Sequence, residues 1–246
     1  DGFYCPGGQI VPVDVCPVGS FCTNGTALPE PCPAGTYQNE TGQAECKQCP
    51  EGYYCLAETV LPADCPPGYY CPAGTKFPTE FPCPNGTFSN ETRLTSSGEC
   101  TLCTAGQYCA TRGLTAPTGP CDRGHFCLRG EIDPAPAFEL PLGYAGFACL
   151  ESGLNASEVA SLESVTGGVC PPGHYCVEGT GSPVPCPAGN YSGSMLNDEL
   201  SDCLPCPSTF YCPTNGISVP SLKCWDGFYC PGGQIVPVDV CPVGSF

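Results

Sequence analysis

Cysteine has the widest chemical reach of any residue type in this chain, and 25 of its 246 residues are cysteine. Thiols can hold a metal, exchange electrons, attack a substrate or close disulfides, and spacing decides among these roles. The heptapeptide C-x-x-G-x-[FY]-C occurs in full, or nearly so, eight times: from Cys16 to Cys22, Cys49 to Cys55, Cys65 to Cys71, Cys103 to Cys109, Cys121 to Cys127, Cys170 to Cys176, Cys206 to Cys212 and Cys224 to Cys230. Gly holds the fourth slot in seven copies, Thr209 being the exception, and an aromatic precedes the second Cys in all eight. Pro follows the first Cys in five. Pro presets a turn and Gly supplies the backbone freedom it needs, while the aromatic can cover a neighbouring disulfide.

A longer element precedes three of the heptapeptides, running from Cys32 to Cys46, from Cys83 to Cys100 and from Cys186 to Cys203. Each continues through x-x-C into the next motif, which creates C-x2-C pairs at Cys46/Cys49, Cys100/Cys103 and Cys203/Cys206. Such pairs can hold zinc when a second pair lies within reach. The number of cysteines and the Pro-Gly turns favour disulfides instead, and a redox C-x-x-C lacks the strand and helix pattern that normally carries it. No metal ligand set and no cofactor are expected. His125 and His174, the only histidines, share one heptapeptide slot that elsewhere holds Ser20, Tyr53, Tyr69, Gln107, Phe210 and Phe228. So permissive a slot reads as surface rather than as a general base. No nucleophile elbow, phosphate-binding Gly loop, H-E-x-x-H or EF-hand loop is present, so no catalytic residue is assigned.

The elements that must position these residues are small. Leu, Ile, Val and Phe make up under a fifth of the chain, while Gly (32) and Pro (31) make up about a quarter. Apolar area on this scale cannot offset the entropy of ordering one large core, so disulfide-closed modules must do it piecewise. A net charge of −17 argues against nucleic acid as a partner. The scattered carboxylates show no calcium-ligand spacing and read as solubilising. No apolar stretch is long enough to span a membrane. Six of the eight asparagines lie in N-x-[ST] sequons, at Asn24, Asn39, Asn85, Asn90, Asn155 and Asn190. That concentration predicts a secreted glycoprotein carrying covalent glycans.

Two periods organise the chain. Residues Asp1 to Phe21 recur unchanged at Asp226 to Phe246, an offset of 225. Identity at turn and loop positions points to long units repeated in tandem, with an artefact of how the chain was delimited as the competing explanation. Both ends are expected to cut through a module, since DGFYC at Cys5 is completed as CWDGFYC at Cys224. One period holds 23 cysteines, of which the motifs use 22. The odd one, by elimination, is Cys149, either free and buried or bonded to another chain. It lies in a cysteine-poor insert where Asn155, Glu158, Leu154, Val159, Leu162 and Val165 predict a short helix near 155–165. The predicted organisation is therefore the end of a cysteine-rich unit over 1–31, modules over 32–82 and 83–127, the insert over 128–169, a third module over 170–225, and the next repeat from 226 to 246.

The stretch CPAGTYQNETGQAECKQCPEGYYC from Cys32 to Cys55 resembles the cysteine-rich repeat of ephrin-type receptor ectodomains, a relative of tumour-necrosis-factor-receptor and EGF-like modules. The likeness returns at Cys83 to Cys109 and at Cys186 to Cys212. It implies that Cys32 pairs with Cys46, Cys83 with Cys100 and Cys186 with Cys203. The heptapeptides depart from the receptor pattern and leave two schemes open, with Cys49 closing on Cys55 or the pairs crossing with Cys65 and Cys71. The repeats also look like those of long protist surface proteins, including the mastigonemes of flagella. The expected fold is a tandem of small disulfide-rich modules with short β-ribbons, little regular structure and an elongated rod shape. The expected function is a non-enzymatic subunit of an extracellular or cell-surface filament, with copies of itself as partners and the insert as the lateral contact. A receptor or adhesin ectodomain that binds a ligand is the alternative.

Overall fold

The computed structural model describes residues 1–8, 14–137, 166–237 and 239–240. The chain divides into two compact units, Asp1–Leu102 with Thr111–Pro117, and Cys103–Ala110 with Thr118–Phe246. The division falls inside the stretch 83–127. Both units are built from one repeated turn.

The turn follows from its residues. In Pro33-Ala34-Gly35-Thr36 the Thr36 N–H donates to the Pro33 carbonyl at 3.1 Å, and Gly35 has φ 89°. A positive φ at the third residue is the signature of a type II turn, which is why Gly recurs there. The next two residues form a two-residue strand that pairs antiparallel with the two residues before the following cysteine. In the first unit Ser20–Phe21 pairs with Glu30–Pro31, Thr36–Tyr37 with Lys47–Gln48, and Tyr53–Tyr54 with Ala63–Asp64. In the second unit His174–Tyr175 pairs with Val184–Pro185, Asn190–Tyr191 with Leu204–Pro205, and Phe210–Tyr211 with Leu222–Lys223. There are eleven two-stranded ribbons among the described residues, ten with strands of two residues and one with strands of three, and none joins a third strand. A lone ribbon this short is unstable in water, so something else must hold each one.

Two devices do so. The first is disulfide closure, always local. Each heptapeptide closes on itself, including Cys49 with Cys55 and Cys65 with Cys71, so the crossed scheme does not occur. The longer elements close from Cys32 to Cys46, Cys83 to Cys100 and Cys186 to Cys203. Apart from cysteine, proline and glycine, Leu94 and Phe126 are the only buried apolar residues among those described. Sulfur thus takes the place of an aliphatic core.

The second device is a backbone ladder from one turn to the next within each unit. The turn glycine donates its N–H to the carbonyl of the residue just past the first strand of the next turn's ribbon, as in Gly19 to Gln38 (2.8 Å), Gly35 to Cys55 (2.7 Å) and Gly173 to Ser192 (2.7 Å). Its own carbonyl accepts from the next first cysteine, as Gly19 does from Cys32 and Gly173 from Cys186. Backbone groups that would otherwise need water are satisfied in a fixed order.

The insert does not interrupt this order. His125–Cys127 pairs with Gly167–Val169, so the insert is the enlarged loop of an ordinary ribbon. Past it, Gly124 donates to Cys176 and Gly179 to Cys121, each at 2.8 Å. A loop of this length is tolerated because closure entropy rises only with the logarithm of loop length. Cys149, Asn155 and the helix expected near 155–165 lie outside the described residues.

Candidate functional site

The repeated surface is the feature with functional content, and its construction goes beyond the heptapeptide. The three longer elements begin with the same turn, but the seventh residue is Gln38, Ser89 or Ser192 where a heptapeptide has its second cysteine. All three are buried. Gln38 donates from Nε2 to the Glu45 carbonyl at 2.8 Å and accepts at Oε1 from the Glu40 N–H. Ser192 Oγ accepts from Asn197 Nδ2 at 2.8 Å, and the same amide group also donates to the His174 carbonyl. A polar side chain with its partners therefore fills the place of a sulfur. Taking the heptapeptide as the unit misses this; aligning C-P-x-G-x-[FY] without its last cysteine finds it.

A second left-handed position is also hidden from the motif. Its N–H donates to the first cysteine carbonyl of an earlier turn, and it is filled by Gly42, Glu58, Gly74, Arg93, Gly113, Gly130, Gly179, Leu196, Gly216 and Gly233. Glu58, Arg93 and Leu196 have φ of 62–67°, and the fourth non-glycine residue with positive φ is Thr209, at the turn slot itself, with φ 74°. All four strained residues thus occupy glycine positions. The ladder holds them there.

The candidate glycan acceptors sit in different settings. Asn24, Asn39, Asn85 and Asn90 are exposed, while Asn190 is half-buried within a ribbon. Asn39 accepts from Lys47 Nζ at 2.8 Å through Oδ1, and Lys47 also pairs with Glu40 at 3.0 Å. The sequon hydroxyls differ as well: Thr87 is buried and donates to the Pro84 carbonyl at 2.6 Å, and Ser192 is buried as described.

Most of the described groups that could carry other chemistry are engaged. His125 and His174 each place Nδ1 3.2 Å from the carbonyl two residues earlier. Each C-x2-C pair is divided between two disulfides, which leaves no thiolate pair for zinc. Cys5 is the unpaired cysteine among the described residues, and its twin Cys230 pairs with Cys224. Asp198, Glu199 and Asp202 bring carboxylate oxygens within 4.8 Å of one another. Arg123 pairs with Asp198 at 3.1 Å and with Glu199 at 3.7 Å, and Asp202 Oδ2 accepts from two backbone N–H groups. One guanidinium thus offsets part of the charge of three carboxylates, and Asp202 is folded around its own backbone. Glu99 takes the Thr95 hydroxyl at 2.6 Å and the Thr95 N–H at 2.9 Å, and these bonds hold its carboxyl below the usual range. In the first unit Tyr70, Glu80, Phe81, Pro82, Pro84 and Arg112 line a groove of about 340 Å³.

No helix of the described residues is long and apolar enough to cross a membrane. The pattern of local disulfides and two-strand ribbons is that of an extracellular or secreted cysteine-rich module. Comparison with known families agrees over one stretch, since residues 19–56 match the family described as Tyrosine-protein kinase ephrin type A/B receptor-like.

Proposed function

We propose that this chain is a structural, non-catalytic subunit of an extracellular glycosylated filament of the mastigoneme type, built from near-identical 225-residue units in tandem. The observation that carries the reading is the regular ladder, in which one turn presents the same backbone groups to the next, combined with the unchanged return of residues 1–21 at 226–246. Identical surfaces at a fixed interval propagate into a fibre. Glycans at Asn24, Asn39, Asn85, Asn90, Asn155 and Asn190 would stud its surface, and the insert with Cys149 would make lateral contacts. Electron microscopy of the native material tests this: fibres with an axial repeat are expected, and dispersed particles without periodicity would overturn it. Enzymatic deglycosylation should lower the mass in steps that match the occupied sequons.

The groove lined by Tyr70, Phe81 and Arg112 supports a second reading, a ligand-binding ectodomain of a receptor or adhesin. Such a protein would carry a few diverged units and a membrane anchor rather than many copies of one unit.

A further inference from the structure

Because residues 1–21 and 226–246 are identical, the molecule contains the same segment twice in two surroundings. The first copy has the downstream part of a unit attached to it, and the second has the upstream part. Each copy thus reveals one side of the join between consecutive units. Their ribbons share one register, Phe3 opposite Val15 and Tyr4 opposite Asp14 in the first, Phe228 opposite Val240 and Tyr229 opposite Asp239 in the second.

Downstream residues cover the turn of the first copy. There the Gly2 N–H donates to Cys22 at 2.9 Å, Cys5 to Thr26 at 3.1 Å, and Gly42 to Cys16 at 2.8 Å. Gly2 is buried, and the Gly42 carbonyl lies where a Cβ on Gly2 would stand. Its twin Gly227 has φ 82°, close to the 80° of Gly2, yet it is exposed, with no described atom within 4 Å of its Cβ position. Upstream residues cover the other side of the second copy. Phe228 is half-buried against Trp225, with ring centroids 5.7 Å apart, whereas Phe3 is 47% exposed. The ladder also enters the second copy without a change of pattern, from Thr209 to Cys230 at 3.1 Å, Cys212 to Gln234 at 2.7 Å and Gly233 to Cys206 at 2.7 Å.

We infer that the join between consecutive 225-residue units is one more step of this ladder, and that the exposed face at Gly227 is the seat for residues of a following copy equivalent to Cys22–Gly42. The occupant is fixed by identity of sequence: a surface identical to Asp1–Phe21 takes what Asp1–Phe21 takes. The units are then joined without a flexible linker. The inference rests on the proposed tandem arrangement of units.

The test compares the 246-residue chain with one carrying two complete units followed by residues 1–21. Gly227→Ala is made in both, with Gly2→Ala as the covered reference and Gly7→Ala as the control, since Gly7 has φ 72° and nothing within 4 Å. In the single-unit chain Gly227→Ala should lower the thermal midpoint no more than Gly7→Ala does. In the two-unit chain it should lower it by about 4 °C or more beyond that control, as burial of the site adds a clash to the backbone strain. Equal effects of Gly227→Ala in the two chains would overturn the inference, whether or not Gly2→Ala allows folding. A flexible join would leave filaments in native material possible, and absence of filaments would leave the midpoint result standing, so the two failures are separable.

Discussion

The heptapeptide and the longer element place the same turn, the same ribbon and the same ladder bonds under different side-chain chemistry. In the heptapeptide from Cys170 to Cys176 a disulfide between cysteines six positions apart closes the strand directly. In the element from Cys186 to Cys203 the corresponding place is taken by Ser192, held by Asn197, and the cysteine that closes the loop lies 17 residues after Cys186. The backbone geometry survives the exchange. The turn and its ladder therefore define the module, and sulfur or a polar pair is a filling of the same space. The exchange also frees a loop long enough to carry a sequon, as at Asn39 and Asn90.

Removing each kind of closure is the strongest way to break this equivalence. Replacing Cys83 and Cys100 by Ala opens a loop of 17 residues and should cost about 3 kcal/mol, against about 2 kcal/mol for Cys65 and Cys71, which are six apart. Denaturant unfolding under non-reducing conditions measures both, and an equal or reversed order would show that loop length does not govern the difference. Next in size is the polar filling. Asn197→Ala leaves Ser192 Oγ with only the long bond from the Ser194 N–H and takes a donor from the His174 carbonyl, and should destabilise the chain by about 1–3 kcal/mol; a neutral outcome in the same unfolding experiment would mean that the amide is replaceable by water.

A gain is expected where the module departs from its own rule. Thr209 is β-branched at φ 74°, so Thr209→Gly should raise stability by about 1 kcal/mol, seen as a higher thermal midpoint. A fall would mean that the Thr side chain makes a contact worth more than the strain. The smallest effect separates the two closures by pH. Glu99 belongs to the longer element from Cys83 to Cys100, and the hydroxyl and N–H of Thr95 lower its pKa. A lowered carboxyl pKa contributes stability that is present above the ordinary carboxylate range and lost as pH falls through the lowered value. The Thr95 amide resonance should therefore shift in acid at a pH below that of a free glutamate, while the disulfide-closed heptapeptide at Cys103 should show no matching transition. A Thr95 shift centred at the ordinary glutamate pKa would remove this distinction.

Much of the module is legible in its residue types. Cys, Gly and the aromatic recur in the heptapeptides because a disulfide, a left-handed backbone and a ring each demand one kind of side chain. The same physics hides the rest. The turn at Cys186 looks like a separate element because Ser192 stands where the seventh cysteine would be, and polar fillings have no fixed identity. The second left-handed position is masked by Glu58, Arg93 and Leu196, which accept strain there because a hydrogen bond to a cysteine carbonyl holds them. The ladder itself is made of backbone atoms, which every residue shares, so no alphabet of side chains could announce it. Closed and crossed heptapeptides are equally compatible with the spacing, and it is the turn at the glycine that brings the two cysteines of one heptapeptide to a Cα separation of 5.9 Å.

No disulfide in the described residues spans more than 17 positions, and that limit reaches beyond stability to biosynthesis. Every bridge among the described residues joins consecutive cysteines, so in a chain threaded into an oxidising compartment the thiol that follows the first one of a bridge is its native partner. Bridges this local close a small loop each, without waiting for distant parts of the chain. Were the proposed tandem lengthened by gene duplication, its latest copy would have bridges as local as those of its first.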